Sequence, residues 1–368
     1  MVVIRTKKLE SQKPLWKGPE VDGITQSMLS RFLCCRERFR VLTVEGLRPQ
    51  RKFNHAIEYG QMWHICEEVF AESGNPIVNN PVADPPWLDA LLGYGCELAQ
   101  KYKMDSDVIN KWYSICKLQF PIYVEYWKNH PDVKSRKPIC QEETFKIPYK
   151  LPSGRIVLLR GKWDSVDWIG SKKTGGVYLQ ENKTKGDIKE DVLKQQVGSG
   201  FDLQTMLYLV AMTESPRFSP KEIKGVRYNV VRRPLAGGKH SIRQHKPTKS
   251  NPRGETPDQY YERLQGLIAE EPSWYFMRWK VEITPADLER FKREFLNPIL
   301  EQLCDWWEWV QSGPTPFGVG VVNTLHWRTP YGFWNVLAEG GSGELDEYIN
   351  TGSKLGLENV DSLFGELE

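Results

Sequence analysis

Three residues near the middle of the chain have the types and spacing to hold a divalent ion and handle a water: Asp164, Glu181 and Lys183. Glu181 and Lys183 lie in "GGVYLQENKTK" (175–185), an alternating run that reads as a strand entered by a Gly-Gly turn. Residues two apart on a strand share a face, so these two heads point one way and Asn182 the other. Asp164 lies on the preceding run, "RIVLLRGKWDSVDWI" (155–169), which follows the turn at Pro152-Ser153-Gly154. Paired as a hairpin, the two strands bring two carboxylates and an ammonium to one spot. Carboxylate oxygens, with the Asn182 backbone carbonyl, suit a hard cation such as Mg²⁺ or Mn²⁺. Such an ion activates water and neutralises charge growing on a phosphate. The lysine orients the water or stabilises the transition state. The set therefore fits phosphodiester hydrolysis, although the same charges also fit a cross-strand ion pair on a solvated sheet face.

The elements that must position these groups follow from apolar periodicity. Helical rhythm runs from Ile24 through "ITQSMLSRFLCCRERFRVL", over His55 to Glu72, and over Trp87 to Asn129. The pattern then turns to strands at 140–149, 155–169, 175–185 and 223–234, with a helix at 192–213 between the last two. A helix at 258–271, a strand at 274–283 and a long helix at 285–311 follow. Mixed strands and helices of this order predict an α/β domain around a central sheet. Residues 1–22 read as an irregular leader, 23–338 as the domain, 75–135 as a helical insertion and 339–368 as an acidic, flexible tail.

With these elements in view, the sequence resembles the PD-(D/E)XK nuclease superfamily. Within it, the likeness is to the RecB-like branch of phage recombination exonucleases and CRISPR-associated adaptation nucleases. The family's Asp, spacer and Glu-x-Lys are met by Asp164, sixteen residues, and Glu181-Asn182-Lys183. The branch's Gln-x-x-x-Tyr is met by Gln204 and Tyr208, one helical face apart by i, i+4. Its serine-rich helix start, Cys-containing segment and Gly-x-x-x-His are met by "SMLSRFLCCRERF" and by Gly60 with His64. These motifs span residues 24 to 232.

The resemblance implies a restriction-endonuclease-like core, a central mixed β-sheet flanked by helices. It implies a metal-dependent DNA nuclease, an exonuclease in recombination or repair, of a kind that phages encode. Asp164, Glu181, Lys183, Gln204 and Tyr208 then become catalytic, with His64, Asp164, Glu181 and Asn182 around the metal. The imidazole suits Mn²⁺ better than Mg²⁺. Some relatives carry a further acid on the strand before the Asp strand; Glu142 and Glu143 both stand there, with Glu143 preferred. His64 and Tyr208 also read as ordinary core residues with satisfied polar atoms. The rival reading, a nucleic-acid-binding or assembly protein that keeps the fold without cutting, runs against the intact acid and lysine set.

Charge and cysteine content narrow the partners. The net charge is +3, but residues 339–368 carry −7, leaving +10 on the rest. The segment 232–256 is expected as a basic loop, with Arg232, Arg233, Lys239, Arg243, Lys246, Lys249 and Arg253 as phosphate contacts to DNA. Trp163 and Trp168, flanking Asp164, are candidates for stacking on bases. The tail's acidic and hydrophobic mix suits a recombination or single-strand-binding partner, or a solvated tail. Seven scattered cysteines form no CxxC pair, and 323–341 holds none, so no iron–sulfur cluster is expected. No apolar run reaches membrane-spanning length, and Met1 to Lys17 lack a signal-peptide core, so an intracellular protein is expected.

Overall fold

Polar caps and helix-breaking residues set the element ends. Thr25 caps α1 (Gln26–Cys34), directly after the short strand β1 (Ile24–Thr25). Then come α2 (Arg36–Phe39), a π-helical turn at Arg40–Val44 and β2 (Leu47–Pro49). Asn54 caps α3 (His55–Glu72) by accepting the Ala56 N–H. Three helices follow, α4 (Pro86–Lys101), α5 (Ser106–Trp127) and α6 (Pro131–Lys134), the first and last begun by Pro at a position that needs no N–H. The strands β3 (Arg136–Lys150), β4 (Ile156–Ile169) and β5 (Gly176–Lys185) come next, then α7 (Leu203–Glu214) and β6 (Ile223–Arg232). A Thr256–Gln259 capping box opens α8 (Pro257–Glu270), which leads through α9 (Pro272–Tyr275) to β7 (Phe276–Glu282). A second box, Thr284–Asp287, opens α10 (Pro285–Phe291); a π-helical turn at Lys292–Leu296 joins it to α11 (Asn297–Gln311), and β8 (Leu357–Asn359) comes last. This computed structural model describes residues 14–49, 53–73, 85–186, 188, 202–234, 243–249, 252–312, 357–359, 362–364 and 367.

Six strands form one mixed sheet in the order β1-β4-β5-β6-β7, with β3 along the other edge of β4. β3–β4, β4–β5 and β6–β7 run antiparallel, while β1–β4 and β5–β6 run parallel. Alternation along the strands sorts two cores onto the two faces. Val226, Tyr228 and Val230 of β6 join α1, α7, α10 and α11 in one cluster. Val231 and Phe276 join α3, α4, α5, α8 and α9 in the other. The expected α/β architecture is thus present, a sheet between two helical layers. No helix among the described residues is long and apolar enough to cross a membrane.

Three details depart from the sequence reading. The single long helix expected over 285–311 is interrupted by its π-helical turn. Part of the expected leader is core: Trp16 is fully buried, its ring 4.9 Å from Trp307 and 5.2 Å from Phe39. Part of the expected free tail is docked as well. β8 pairs antiparallel with β2, and Phe364 is 6% exposed beneath the Arg160 guanidinium at 3.9 Å. The rest of the tail, and residues 192–201 of the expected 192–213 helix, lie outside the described residues.

Trp16→Ala should therefore destabilise the whole domain, by about 3–5 kcal/mol as for other buried aromatic truncations. Urea unfolding followed by tryptophan fluorescence measures this; a loss below about 1 kcal/mol would contradict burial of the leader.

Candidate metal and active site

The ladder between β4 and β5 covers only Ser165↔Gln180 through Ile169↔Gly176. One step further along that register, Asp164 would face Glu181, but the strands part there. β1 meets the same edge of β4 only at Leu159 and Arg160. Among the described residues, no strand pairs with 161–164 on this edge, and backbone N–H groups in such a gap need other partners. Asp164 supplies one: its Oδ2 accepts the Asn182 N–H at 2.8 Å. Tyr208 lies against the same stretch of β4, its ring edge-on to Phe145 at 5.3 Å.

The gap gathers the chemistry. His64 Nδ1 lies 3.1 Å from Glu142 Oε1 and 3.9 Å from Asp164 Oδ2. Ligand atoms of His64, Glu142 and Asp164 all fall within 4.8 Å of one another, close enough to share one ion. Glu181, fully buried, faces them from β5; its Oε2 accepts from Lys183 Nζ at 2.6 Å, and its Oε1 is buried with no hydrogen-bond partner. Lys183 Nζ also donates to Gln204 Oε1 at 2.9 Å. A buried carboxylate oxygen without a donor costs free energy unless a cation meets it. The donor set of oxygens and one imidazole nitrogen thus fits Mg²⁺ or Mn²⁺.

Charge compensation within the protein is nearly even. Lys162 Nζ bonds Glu142 Oε2 at 2.6 Å, Lys183 bonds Glu181, and His64 faces Glu142 and Asp164. Burial opposes a charge on His64, but Asp164 and Glu142 outweigh it and hold the ring's pKa up at about 9. Glu142 moves the other way: despite burial, the bonds and charges of His64 and Lys162 hold its carboxyl below the usual range. Burial raises Asp164 and pushes Glu181 up to about 7, with Lys183 pulling against it. Lys183 stays firmly protonated because Glu181 and Asp164 overcome its burial.

Two glycines make the approach of these elements possible. A Cβ on Gly60 would stand 3.2 Å from Thr184 Oγ1, so its absence lets α3 lie against β5 and carries His64, one turn on, to the gap. A Cβ on Gly161 would meet Phe145 Cζ at 2.6 Å and Tyr208 Cε1 at 2.8 Å. The Gly161 position is where the Tyr208 ring crosses β4.

The strands themselves change face at the site. Trp163 stacks on Phe145 at 4.5 Å on the α7 side, yet Ser165 and Asp167 bond into the opposite layer with Arg227. On β3, Phe145 and Gln141 divide in the same way, and between them Glu142 has a φ of 44°, the one positive non-glycine φ among the described residues. The left-handed region is uncommon for glutamate and concentrates at functional sites. This reversal decides between the two adjacent acids: Glu142 joins His64 and Asp164, while Glu143, preferred from sequence, pairs with Arg217. Lys162 was missed, because a lysine on a strand carries no signal until β3–β4 pairing sets it beside Glu142.

Other expectations are corrected by burial. Arg232 and Arg233 are each 9% exposed and serve the fold, donating to the backbone carbonyls of Trp274 and Ile188 and of Ala56. They do not present phosphate contacts. Arg243, Lys246, Lys249 and Arg253 are exposed as expected, and Lys239 lies outside the described residues. Trp163 is 2% exposed within the core and cannot stack on a base; Trp168 is partly buried. Asn182 gives its N–H to Asp164, and its side chain faces away, accepting from Gln180 and Asn229.

Compared with known families, residues 24–305 match the family model described as the PD-(D/E)XK nuclease superfamily. No curated protein matches the chain.

The raised Glu181 carboxyl has a thermodynamic signature. A pKa higher in the folded than in the unfolded chain stabilises the fold below the unfolded value, and that contribution fades as pH rises. In metal-free protein it should fade between about 4.5 and about 7. Glu181→Gln should remove this component, so the difference between wild-type and variant unfolding free energies shifts against wild type across that window. Equal pH slopes for the two proteins, measured by chemical denaturation in EDTA, would contradict the burial assigned to this carboxylate.

Proposed function

Because the chain belongs to the PD-(D/E)XK nuclease superfamily, we propose that it is a Mg²⁺- or Mn²⁺-dependent deoxyribonuclease, an exonuclease serving DNA recombination or repair. The observation that carries the reading is the convergence of His64, Glu142 and Asp164, with Glu181 and Lys183 alongside, at the parted edge of β4 and β5. In this reading His64, Glu142, Asp164 and Glu181 would hold the ion, which supplies water activation and charge neutralisation at the phosphate. His64 would have to release its proton to solvent to ligate, since only the neutral imidazole and the ionised carboxylates can hold such an ion. Lys183 keeps its ammonium through the Glu181 and Asp164 charges, and Gln204 fixes its direction, so that it offers a proton or a positive charge toward the phosphate.

Tyr208 acts one step back, its ring packed over Gly161 of β4 beside the candidate ligands. The exposed Arg243, Lys246, Lys249 and Arg253 suit phosphate contacts without base specificity. The exonucleolytic and recombination parts of the reading rest on the RecB-like order of Gly60-x-x-x-His64, Asp164, Glu181-x-Lys183 and Gln204-x-x-x-Tyr208. A recombination or single-strand-binding partner for the acidic tail, and an intracellular setting, belong to the same reading.

Purified protein should degrade end-labelled linear DNA with Mg²⁺ or Mn²⁺, spare covalently closed circles, and stop in EDTA. Asp164→Asn and Lys183→Ala should each slow cleavage by about 100-fold or more while circular dichroism stays unchanged. Cleavage that survives both substitutions overturns the assignment. Metal-independent DNA retention without cleavage by the wild-type protein would favour a binding protein instead.

A further inference from the structure

Lys162 has no part in the hydrolysis described above, yet it grips one of the candidate ligands. The β3–β4 register sets Gln141 opposite Ser165 and Glu143 opposite Trp163, so Glu142 and Asp164 stand opposite each other between those pairs. Like charges placed directly opposite repel. Lys162, paired with Thr144 and two residues before Asp164, reaches Glu142 from the outer side: its side chain is 37% exposed, that of Glu142 4%. The two oxygens of Glu142 are thereby divided. Oε1 lies 3.1 Å from His64 Nδ1 and so faces the other candidate ligands, while Oε2 bonds Lys162 Nζ at 2.6 Å. Glu181 is divided in the same manner, with Oε2 on Lys183 Nζ at 2.6 Å and Oε1 buried without a hydrogen-bond partner.

An oxygen already bonded to an ammonium is a poor ligand for a dication, because the two cations repel across it at short range. Each glutamate therefore offers an ion one oxygen and not a chelating pair. That count separates the hard cations: Mg²⁺ requires a near-ideal octahedron, whereas the larger Ca²⁺ takes about six to eight oxygens and accepts carboxylates through both. We infer that Lys162 is a positioning residue that, by holding Glu142 Oε2, confines this glutamate to one-oxygen ligation and so disfavours Ca²⁺ relative to Mn²⁺ and Mg²⁺. The inference rests on the metal-site reading above. A lysine acting only as a counter-charge would behave otherwise, since one positive charge fewer strengthens every dication by a similar factor. The ratio between ions, not the affinity for either, is the mark of the role assigned to Lys162.

Wild type, Lys162→Met and Lys162→Gln decide the matter. Mn²⁺ binding is read by electron paramagnetic resonance, Ca²⁺ and Mg²⁺ by their displacement of Mn²⁺, and folding by thermal denaturation in EDTA. In both variants the affinity for Ca²⁺ relative to Mn²⁺ should rise by about tenfold, the lower end of what an outer partner of a metal ligand contributes. The ratio of Mg²⁺ to Mn²⁺ should change less. An unchanged ratio of Ca²⁺ to Mn²⁺ overturns the proposal, whether both ions then bind more tightly, more weakly or as in wild type. Should the methionine variant fail to fold, the glutamine variant, which keeps a polar partner for Oε2 without the charge, decides alone by the same ratio. Wild-type protein that binds none of the three ions would instead overturn the metal reading, and this inference with it.

Discussion

The parting of β4 from β5 beyond the Ser165–Gln180 rung is the constraint on which the rest of the site depends. Two antiparallel strands that stayed paired would bury Asp164 and Glu181 side by side in a regular sheet, with no space for a third partner. Once they part, backbone donors on the exposed edge must be met by side chains. Asp164 meets one of them, so a potential ligand is locked in orientation by the backbone amide that precedes Lys183 by one residue. Orientation of the carboxylate and integrity of the sheet edge are thus a single requirement.

Electrostatics supplies the second condition. Glu142, Asp164 and Glu181 lie in a small, largely buried space, and like charges there repel strongly. The protein meets them with His64, Lys162 and Lys183, each from a different element: α3, the middle of β4 and the end of β5. The result is a group of alternating charges that is tolerable to fold around but leaves one Glu181 oxygen unmet. Sites of this kind hold free energy in reserve, since unmet buried charge is a stability cost that function requires.

Much of this was legible in the residues themselves. Asp164, Glu181 and Lys183 could be assigned because period-two alternation and a turn between runs suffice to pair neighbouring strands. Gly60 and His64 could be associated because a helix brings residues four apart onto one face, and the structure shows the glycine doing steric work against Thr184. Glu142 escaped because its backbone leaves the regular strand, and alternation then counts to the wrong neighbour. Arg232 and Arg233 misled for a related reason: charge in a sequence says nothing about whether a carbonyl inside the fold already waits for it. The buried layer around Arg227 was invisible, since its members come from four strands and a helix and only their pairing register brings them together.

The contact between Trp16 and Trp307 bears on how the chain is made. Trp16, Phe39 and Trp306 complete their packing only when the second half of the aromatic cluster, roughly 290 residues downstream, has left the ribosome. At bacterial-type synthesis rates that interval is about 15–60 s, during which an apolar surface built from the earliest part of the domain has no cover. Cover for this earliest aromatic surface therefore arrives only with the last long helix of the domain, in whatever order the sheet assembles.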